Sequence, residues 1–163
     1  ITPDDLESIA KCAFIEMVKQ GYTVVAEFHY LHHAPGGDRY AQMDEMSQRL
    51  WVAAEDAGIS LILLPVLYTY GGFDQRPLSG VQTRFYNTLE DYLLLLDKVQ
   101  KTADDAGNRG YGLAAHSLRA VSSEQLVAFS YTHLTLTTPL RALISVCVHH
   151  TIINILRHNK QQE

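Results

Sequence analysis

Two spacings of apolar residues alternate along the first 129 positions of the chain. In four segments apolar residues recur every three or four positions, which is typical of a helix with one buried face. Three short runs rich in β-branched and aromatic residues separate these segments and predict buried strands. The predicted strands are Tyr22–Phe28, Ile59–Leu67 and Tyr111–Ala115. Because strands and helices take turns, the pattern predicts an α/β fold with a parallel sheet and helical crossovers.

Capping residues and glycines indicate where the first helix begins and ends. Thr2 suits the N-cap position, Pro3 suits the first turn, and Gly21 ends the helix. The predicted inner face of this helix consists of Leu6, Ile9, Ala10, Ala13 and Met17.

Similar signals delimit the three later helices. The second helix ends at Gly58, and the third is predicted over Arg84–Ala106. The fourth begins at Ser122, whose spacing to Gln125 is that of a capping box. The predicted inner face of the second helix consists of Met46, Leu50, Ala53, Ala54 and Ala57. A doubly wound sheet and a (β/α) barrel both fit this alternation.

Composition and charge disfavour several classes of partner. Of the 163 residues 47% are apolar, and 13 Lys and Arg residues against 18 Asp and Glu residues give a formal net charge of −5. An acidic chain without a basic run has no footprint for nucleic acid or an anionic membrane. The longest apolar stretch, Ile59–Tyr70, is too short to span a bilayer, so no membrane segment is expected. Cys12 and Cys147 lack metal-binding spacing and favour a reducing compartment, so we expect a cytoplasmic location.

Composition changes near residue 130. Residues 1–129 hold 10 basic and 17 acidic residues, a net charge of −7, whereas residues 130–163 hold 3 basic residues and 1 acidic residue, a net charge of +2. The string Ser130–Thr138 resembles the translation of a transposon-type sequencing adapter. We therefore expect an α/β unit over 1–129 and an atypical tail over 130–163 that is a sequencing-adapter or frameshift artefact. The alternative is a natural continuation of the fold, with Ala142–Val148 as a strand.

Polar side chains follow each predicted strand. In parallel α/β proteins ligands bind beyond the carboxyl ends of the strands, where loops and helix N-termini converge. These side chains are His29, Tyr30, His32 and His33 after the first strand, Tyr68 and Tyr70 after the second, and His116, Ser117 and Arg119 after the third. Their hydrogen-bonding and cationic groups suit an anionic, polar ligand.

His116 and Arg119 are the most specific pair among these residues. They follow two alanines and place two donors three positions apart. An arginine can hold a carboxylate through two parallel hydrogen bonds. Taken alone, the spacing favours the simpler interpretation, in which Arg119 is a solvated loop cation and His116 is a structural histidine.

The histidines after the first strand are a weak metal signal. His29 and His33 are four positions apart, which is a zinc spacing on a helix but not after a strand. His29 and Tyr30 should point to opposite sides, and Tyr30 is the favoured hydroxyl donor to a substrate. Glu27, in an otherwise apolar strand, is either a catalytic carboxylate or, as we favour, one half of a structural ion pair.

Two strings carry a resemblance to a known family. They are Gly21–His33, which reads GYTVVAEFHYLHH, and Ala115–Val121, which reads AHSLRAV. With the run Leu63–Tyr68 between them, residues 3 to 129 resemble the formimidoylglutamate deiminases of the amidohydrolase superfamily. The resemblance implies a zinc-dependent (β/α)8 TIM barrel, of which this chain is a part covering about strands 2 to 4. It also implies hydrolysis of N-formimino-L-glutamate to N-formyl-L-glutamate and ammonia in histidine degradation.

By the same resemblance Tyr30, His116 and Arg119 are substrate-binding residues, with Arg119 on a glutamate carboxylate. The family's zinc ligands, on its first, fifth and eighth strands, have no recognisable counterpart here, so we expect neither a catalytic residue nor a metal ligand in this chain. Zn²⁺ would belong to the whole protein, which we expect to be a homodimer, and the isolated chain would be inactive. The alternatives are another aminohydrolase of the superfamily and a non-catalytic βα-repeat module.

Overall fold

The computed structural model describes residues 1–104 and 107–128. The expected tail over 130–163 therefore lies outside the described residues, as does the predicted end of the third helix at Ala106. The described helices are α1 (Pro3–Lys19), α2 (Glu45–Ala57) and α3 (Leu89–Asp104), together with a 3₁₀ helix (Gly80–Phe85) and helical residues 123–128. The described strands are β1 (Val24–His29), β2 (Ser60–Leu67), β3 (Arg109–Tyr111) and β4 (Ala114–Ala115). No helix in this part of the chain is both long and apolar enough to cross a membrane.

The strands form a parallel sheet with β2 in its centre. β1 pairs with one edge of β2 in a register that runs from Val24 beside Ser60 to His29 beside Pro65. β3 and β4 pair one after the other with the opposite edge of β2, and both are parallel to it. A helix connects β1 to β2 and another connects β2 to β3, so the predicted parallel sheet with helical crossovers is confirmed.

The third predicted strand is interrupted. The sequence predicts one strand over Tyr111–Ala115, but Gly112 and Leu113 separate β3 from β4, and Leu113 packs into the core beside Leu67. The hydroxyl of Tyr92 lies at this break, where it donates to the carbonyl of Pro65 at 2.8 Å and accepts from the Ala114 N–H at 3.2 Å. The buried Tyr92 side chain thus takes part in the hydrogen bonding between β2 and β4.

α1 begins as predicted but packs along a different stripe. Thr2 and Asp5 exchange two hydrogen bonds, which form a capping box. Ile9 and Ala13, both predicted on the inner face, are exposed, Ile9 by 57%, whereas Phe14 is only 3% exposed. The residues that contact the core are Leu6, Ala10, Phe14 and Met17. Steps of four, four and three positions keep one side of a helix, whereas Ile9 and Ala13 lie on a neighbouring side.

The third helix begins later than its periodicity predicts. The predicted start at Arg84 is wrong, because the 3₁₀ helix occupies Gly80–Phe85 and α3 begins at Leu89. Thr88 supplies the start signal, since its hydroxyl accepts a hydrogen bond from the Asp91 N–H at 3.1 Å. The segment before α3 is therefore free to form a loop above the carboxyl ends of the strands.

The main core lies between the helices and one face of the sheet. Trp51 on α2 and Leu61 and Leu63 on β2 are almost fully buried there, together with Leu95 and Val99 on α3. The predicted inner face of α2 is confirmed: four members are buried and the fifth packs against the core at its edge. Trp51 and Ser47 are also buried, although the predicted face does not include them.

β1 is less buried than its sequence predicts. Val24 and Phe28 on one face of the strand are exposed, although the strand is apolar. Within the described residues β1 pairs only with β2, so its second edge is open. On the same face of the sheet, Ile62 and Leu64 of β2 are only half-buried. The helices cover one face of the sheet, and on the other face apolar side chains of β1 and β2 remain partly exposed.

Candidate functional site

Three loops bring aromatic and histidine rings together at the carboxyl ends of β1, β2 and β4. We call this group the aromatic cluster. Its members are Phe28, Tyr30, Tyr68, Phe85 and His116. The strand ends at which the sequence predicts a ligand site therefore do converge.

His116 lies between the rings contributed by β1 and β2. Its imidazole centroid is 4.2 Å from the ring of Tyr68 and 5.6 Å from the ring of Tyr30, to which it is nearly perpendicular. Its Nδ1 is 3.3 Å from the hydroxyl of Ser117. Burial lowers the pKa of His116, and the charge of Arg119 lowers it further. At neutral pH the imidazole is therefore uncharged, with one ring nitrogen to donate and one to accept.

The two other predicted substrate-binding residues are exposed at this edge. Tyr30 is 38% exposed, whereas the preceding His29 is buried, so the predicted opposite orientation of these two neighbours is confirmed. Arg119 is exposed and lies near enough to His116 for its charge to affect the imidazole. Arg119 has no ion-pair partner within residues 1–104 and 107–128. The structure thus places Tyr30 against His116, with a cation beside them.

The aromatic cluster contains two residues that the sequence analysis does not single out. Phe28 ends the exposed face of β1, and its ring centroid is 6.1 Å from that of His116. Phe85 is carried by the 3₁₀ helix and is 4.9 Å from Tyr30 in a perpendicular arrangement. Phe85 lies inside the segment whose periodicity predicts a helix, and that periodicity conceals the loop. A correct start of α3 at its Thr88 cap would have identified the loop.

Of the three histidines at the end of β1 and just after it, two contact backbone carbonyls. Nε2 of His32 is 3.1 Å from the Val66 carbonyl, and Nε2 of His33 is 2.6 Å from the Tyr86 carbonyl. His29 is buried, and its Nε2 has no hydrogen-bond partner among the described residues. No three His, Cys, Asp or Glu side chains of the described ranges are grouped so that they could hold a metal ion. By themselves, the described residues therefore do not form a zinc site.

Within the described residues, Glu27 lacks the ion-pair partner that its place in an apolar strand favours. Its side chain is half-buried on β1, and burial raises its pKa. Among the described residues no cation lies within ion-pair distance of its carboxylate. The predicted structural ion pair is therefore absent from this part of the chain.

A cavity of about 580 Å³ lies beside the 3₁₀ helix. The polar side chains in its lining include those of Thr69, Gln75, Thr83, Tyr86 and Gln125. Among the described residues that line it, none has a charged side chain and none is a predicted substrate-binding residue. The exposed Arg119 outside this cavity is better suited to a carboxylate.

The buried histidines predict a loss of stability in mild acid. Burial lowers the pKa of His32 to about 4 and that of His29 well below its ordinary value of 6.5. The unfolded chain binds protons at these histidines below about pH 6.5 and the folded chain does not, so the free energy of unfolding falls as the pH drops from 6.5 toward 4. Urea unfolding between about pH 7.5 and 5 should show this slope.

A substitution at His32 provides the control for this prediction. His32→Gln keeps an amide donor near the Val66 carbonyl but removes the titrating ring. We expect a flatter dependence of unfolding free energy on pH in this variant. The same slope in His32→Gln and in the unsubstituted protein would show that His32 does not contribute to it.

Comparison with known sequences gives one clear relative. No protein-family model matches the chain. Over 126 residues the chain is 48% identical to formimidoylglutamate deiminase from Pseudomonas aeruginosa. The match covers 77% of this chain but only 28% of the deiminase. The chain therefore spans little more than a quarter of the length of the curated relative it matches.

Comparison with solved structures gives an amidohydrolase and an atrazine chlorohydrolase. The crystal structure of an amidohydrolase from Brucella melitensis superposes with a TM-score of 0.77 at 38% identity, over 80% of this chain and 29% of that one. A mutant atrazine chlorohydrolase from Arthrobacter aurescens TC1, crystallised with zinc and atraton, superposes with a TM-score of 0.62 over 82% of this chain and 28% of that one. At 17% identity the second match speaks for the fold alone.

Proposed function

This chain is a segment of an amidohydrolase-superfamily (β/α) barrel homologous to formimidoylglutamate deiminase, and from that premise we propose that the whole protein hydrolyses N-formimino-L-glutamate. The products would be N-formyl-L-glutamate and ammonia. The reaction would be a step of histidine degradation and would take place in the cytoplasm. The contact between Tyr30 and His116 beside the exposed Arg119 is the observation that carries the proposal. These are the groups that a dicarboxylate amidine needs for recognition.

Each of the three residues has a chemically distinct role in the proposed complex. Arg119 holds a carboxylate of the substrate through charge-assisted hydrogen bonds. The neutral imidazole of His116 faces the substrate with Nε2, since its Nδ1 lies beside the hydroxyl of Ser117. The Tyr30 hydroxyl donates a further hydrogen bond. One cation and two neutral donors provide recognition of an anion without an excess of positive charge.

We further propose that Zn²⁺ in the whole protein is held by residues outside the described ones, because the described ones do not fit it. The proposal of zinc rests on the resemblance to the formimidoylglutamate deiminases. The isolated chain would carry part of the substrate site without the metal centre and would be inactive. Its partner would be the small substrate, not nucleic acid or a membrane, and the whole protein would be a homodimer.

Ammonia release from the whole protein tests this function directly. We expect the zinc-loaded whole protein to convert N-formimino-L-glutamate to N-formyl-L-glutamate and ammonia, and the isolated chain to release none. The matched comparison is N-formiminoglycine, which lacks the side-chain carboxylate and should be a poor substrate. Turnover of ring-bound amines instead would favour another aminohydrolase of the superfamily. Release of ammonia from no amidine or amine would favour a non-catalytic module.

A further inference from the structure

We propose that Phe85 is a positioning residue that holds Tyr30 and His116 in the arrangement that binds substrate. The inference rests on the proposed function and assigns a role to a residue of the loop between β2 and α3. Phe85 lies 55 positions after Tyr30 and 31 before His116, so no local element links the three.

The ring of Phe85 contacts both sides of the site. Its centroid is 4.9 Å from that of Tyr30 at an interplanar angle of 90°, and 5.7 Å from that of Tyr68 at 44°. Tyr68 in turn packs on His116 at 4.2 Å. Perpendicular and tilted pairs at these distances are favourable because the positive edge of one ring meets the negative face of the other. Phe85 therefore supports Tyr30 directly and His116 through Tyr68.

Backbone hydrogen bonds fix Phe85 to the loop that carries Tyr30. The Arg84 carbonyl accepts from the N–H groups of both His32 and His33, at 3.1 and 3.0 Å. The guanidinium Nε of Arg84 donates to the His33 carbonyl at 3.0 Å, and Nε2 of His33 is 2.6 Å from the Tyr86 carbonyl. Both chain neighbours of Phe85 are thus tied to the residues that closely follow Tyr30.

The same short helix also holds the second tyrosine. Nε2 of Gln82 donates to the hydroxyl of Tyr68 at 3.3 Å. Tyr68 is almost fully buried, so it has little access to a ligand and acts on His116 by packing. Phe85 and Gln82 together position the two tyrosine rings that lie against His116.

Loss of the Phe85 ring should weaken substrate binding more than the chemical step. Without that ring, the exposed side chain of Tyr30 is free to adopt other rotamers, and the substrate must order it again when it binds. Ordering one side chain costs about 0.5–1.5 kcal/mol. Since 1.4 kcal/mol corresponds to tenfold, the expected rise in KM is about 3- to 10-fold.

The test uses the whole protein and three variants. Phe85→Leu removes the ring but keeps an apolar side chain, and Phe85→Tyr keeps the ring. Phe73→Leu is the matched control, because Phe73 lies in the same loop and is 80% exposed. We expect Phe85→Leu to raise KM for N-formimino-L-glutamate about 3- to 10-fold with kcat within about twofold. Phe73→Leu should keep the KM of the unsubstituted protein, and Phe85→Tyr should recover most of the binding that Phe85→Leu loses.

A second measurement does not depend on turnover. The imidazole signal of His116, observed by NMR in histidine-labelled whole protein and assigned with His116→Gln, reports the rings around it. We expect Phe85→Leu to shift this signal and Phe73→Leu to leave it in place. An unchanged signal, or an unchanged KM in an active Phe85→Leu variant, overturns the inference. If the unsubstituted protein does not hydrolyse N-formimino-L-glutamate, the proposed function fails, and the His116 signal still decides whether Phe85 positions the histidine.

Discussion

Replacing Arg119 with Met in the whole protein is expected to lower kcat/KM for N-formimino-L-glutamate by about 10- to 100-fold, chiefly by raising KM. Hydrogen bonds to charged groups contribute about 1.5–3 kcal/mol, and each 1.4 kcal/mol corresponds to tenfold in affinity. Arg119 has no ion-pair partner among the described residues, so its guanidinium is available to a carboxylate ligand. The methionine keeps a side chain of similar length without the charge. Steady-state kinetics on the two proteins measure the effect.

A second arginine provides the control for this prediction. Arg76 is also exposed on a loop, where it lies 3.4 Å from Asp74, and it is outside the proposed site. Arg76→Met should leave kcat/KM within about twofold of the unsubstituted protein. Arg119→Lys should recover only part of the loss, because lysine keeps the charge but not the planar pair of donors. An unchanged kcat/KM in Arg119→Met would mean that no substrate carboxylate lies at Arg119.

Replacing Trp51 with Ala is expected to lower the free energy of unfolding by about 3–5 kcal/mol. Trp51 is 1% exposed and lies in the main core between α2 and the sheet. Its ring also lies 5.6 Å from the guanidinium of Arg109, which forms an ion pair with Glu55 at 2.8 Å. The substitution therefore removes a large buried side chain and one cation–π contact, and it leaves a cavity beside the central strand. Denaturant unfolding of the whole protein, followed by circular dichroism, measures the change.

The neighbouring residue on α2 provides the matched control. Val52 is exposed, so Val52→Ala removes apolar atoms without opening a cavity in the core. We expect this variant to change the free energy of unfolding by less than about 1 kcal/mol. Equal losses in the two variants would show that Trp51 is not a major element of the core.

The sequence predicts most of the fold because the relevant signals are local. The Thr2 cap of α1, the apolar stripe of α2 and the apolar run of β2 each lie within a short segment, and the structure confirms all three. The predicted start of the third helix at Arg84 is wrong, because the apolar residues before Thr88 have the same spacing as those of the helix after it. The hydrogen bond from Asp91 to Thr88 starts α3 there, and it was a local signal that the periodicity concealed.

Part of the candidate site follows from topology in the same way. Parallel strands place their carboxyl ends at one edge of a sheet, so residues after β1 and β4 were expected to lie near one another. The structure brings Tyr30 and His116 to 5.6 Å, in agreement with that expectation. Among the described residues the structure supplies no ion-pair partner for Glu27. The sequence of a strand could not show this, because it does not specify which side chains of other elements lie opposite the carboxylate.

By itself, the sequence determined the order of strands and helices, the parallel sheet, and the set of polar residues at the carboxyl edge of that sheet. It could do so because periodicity, caps and strand ends depend on residues that are close together along the chain. Only the tertiary structure decided that Phe85 supports Tyr30 and that Tyr68 packs on His116. These contacts join residues from separate loops. They depend on the hydrogen bonds that hold the 3₁₀ helix against the loop after β1. The spacing of residues along the chain does not specify which residues of separate loops come into contact.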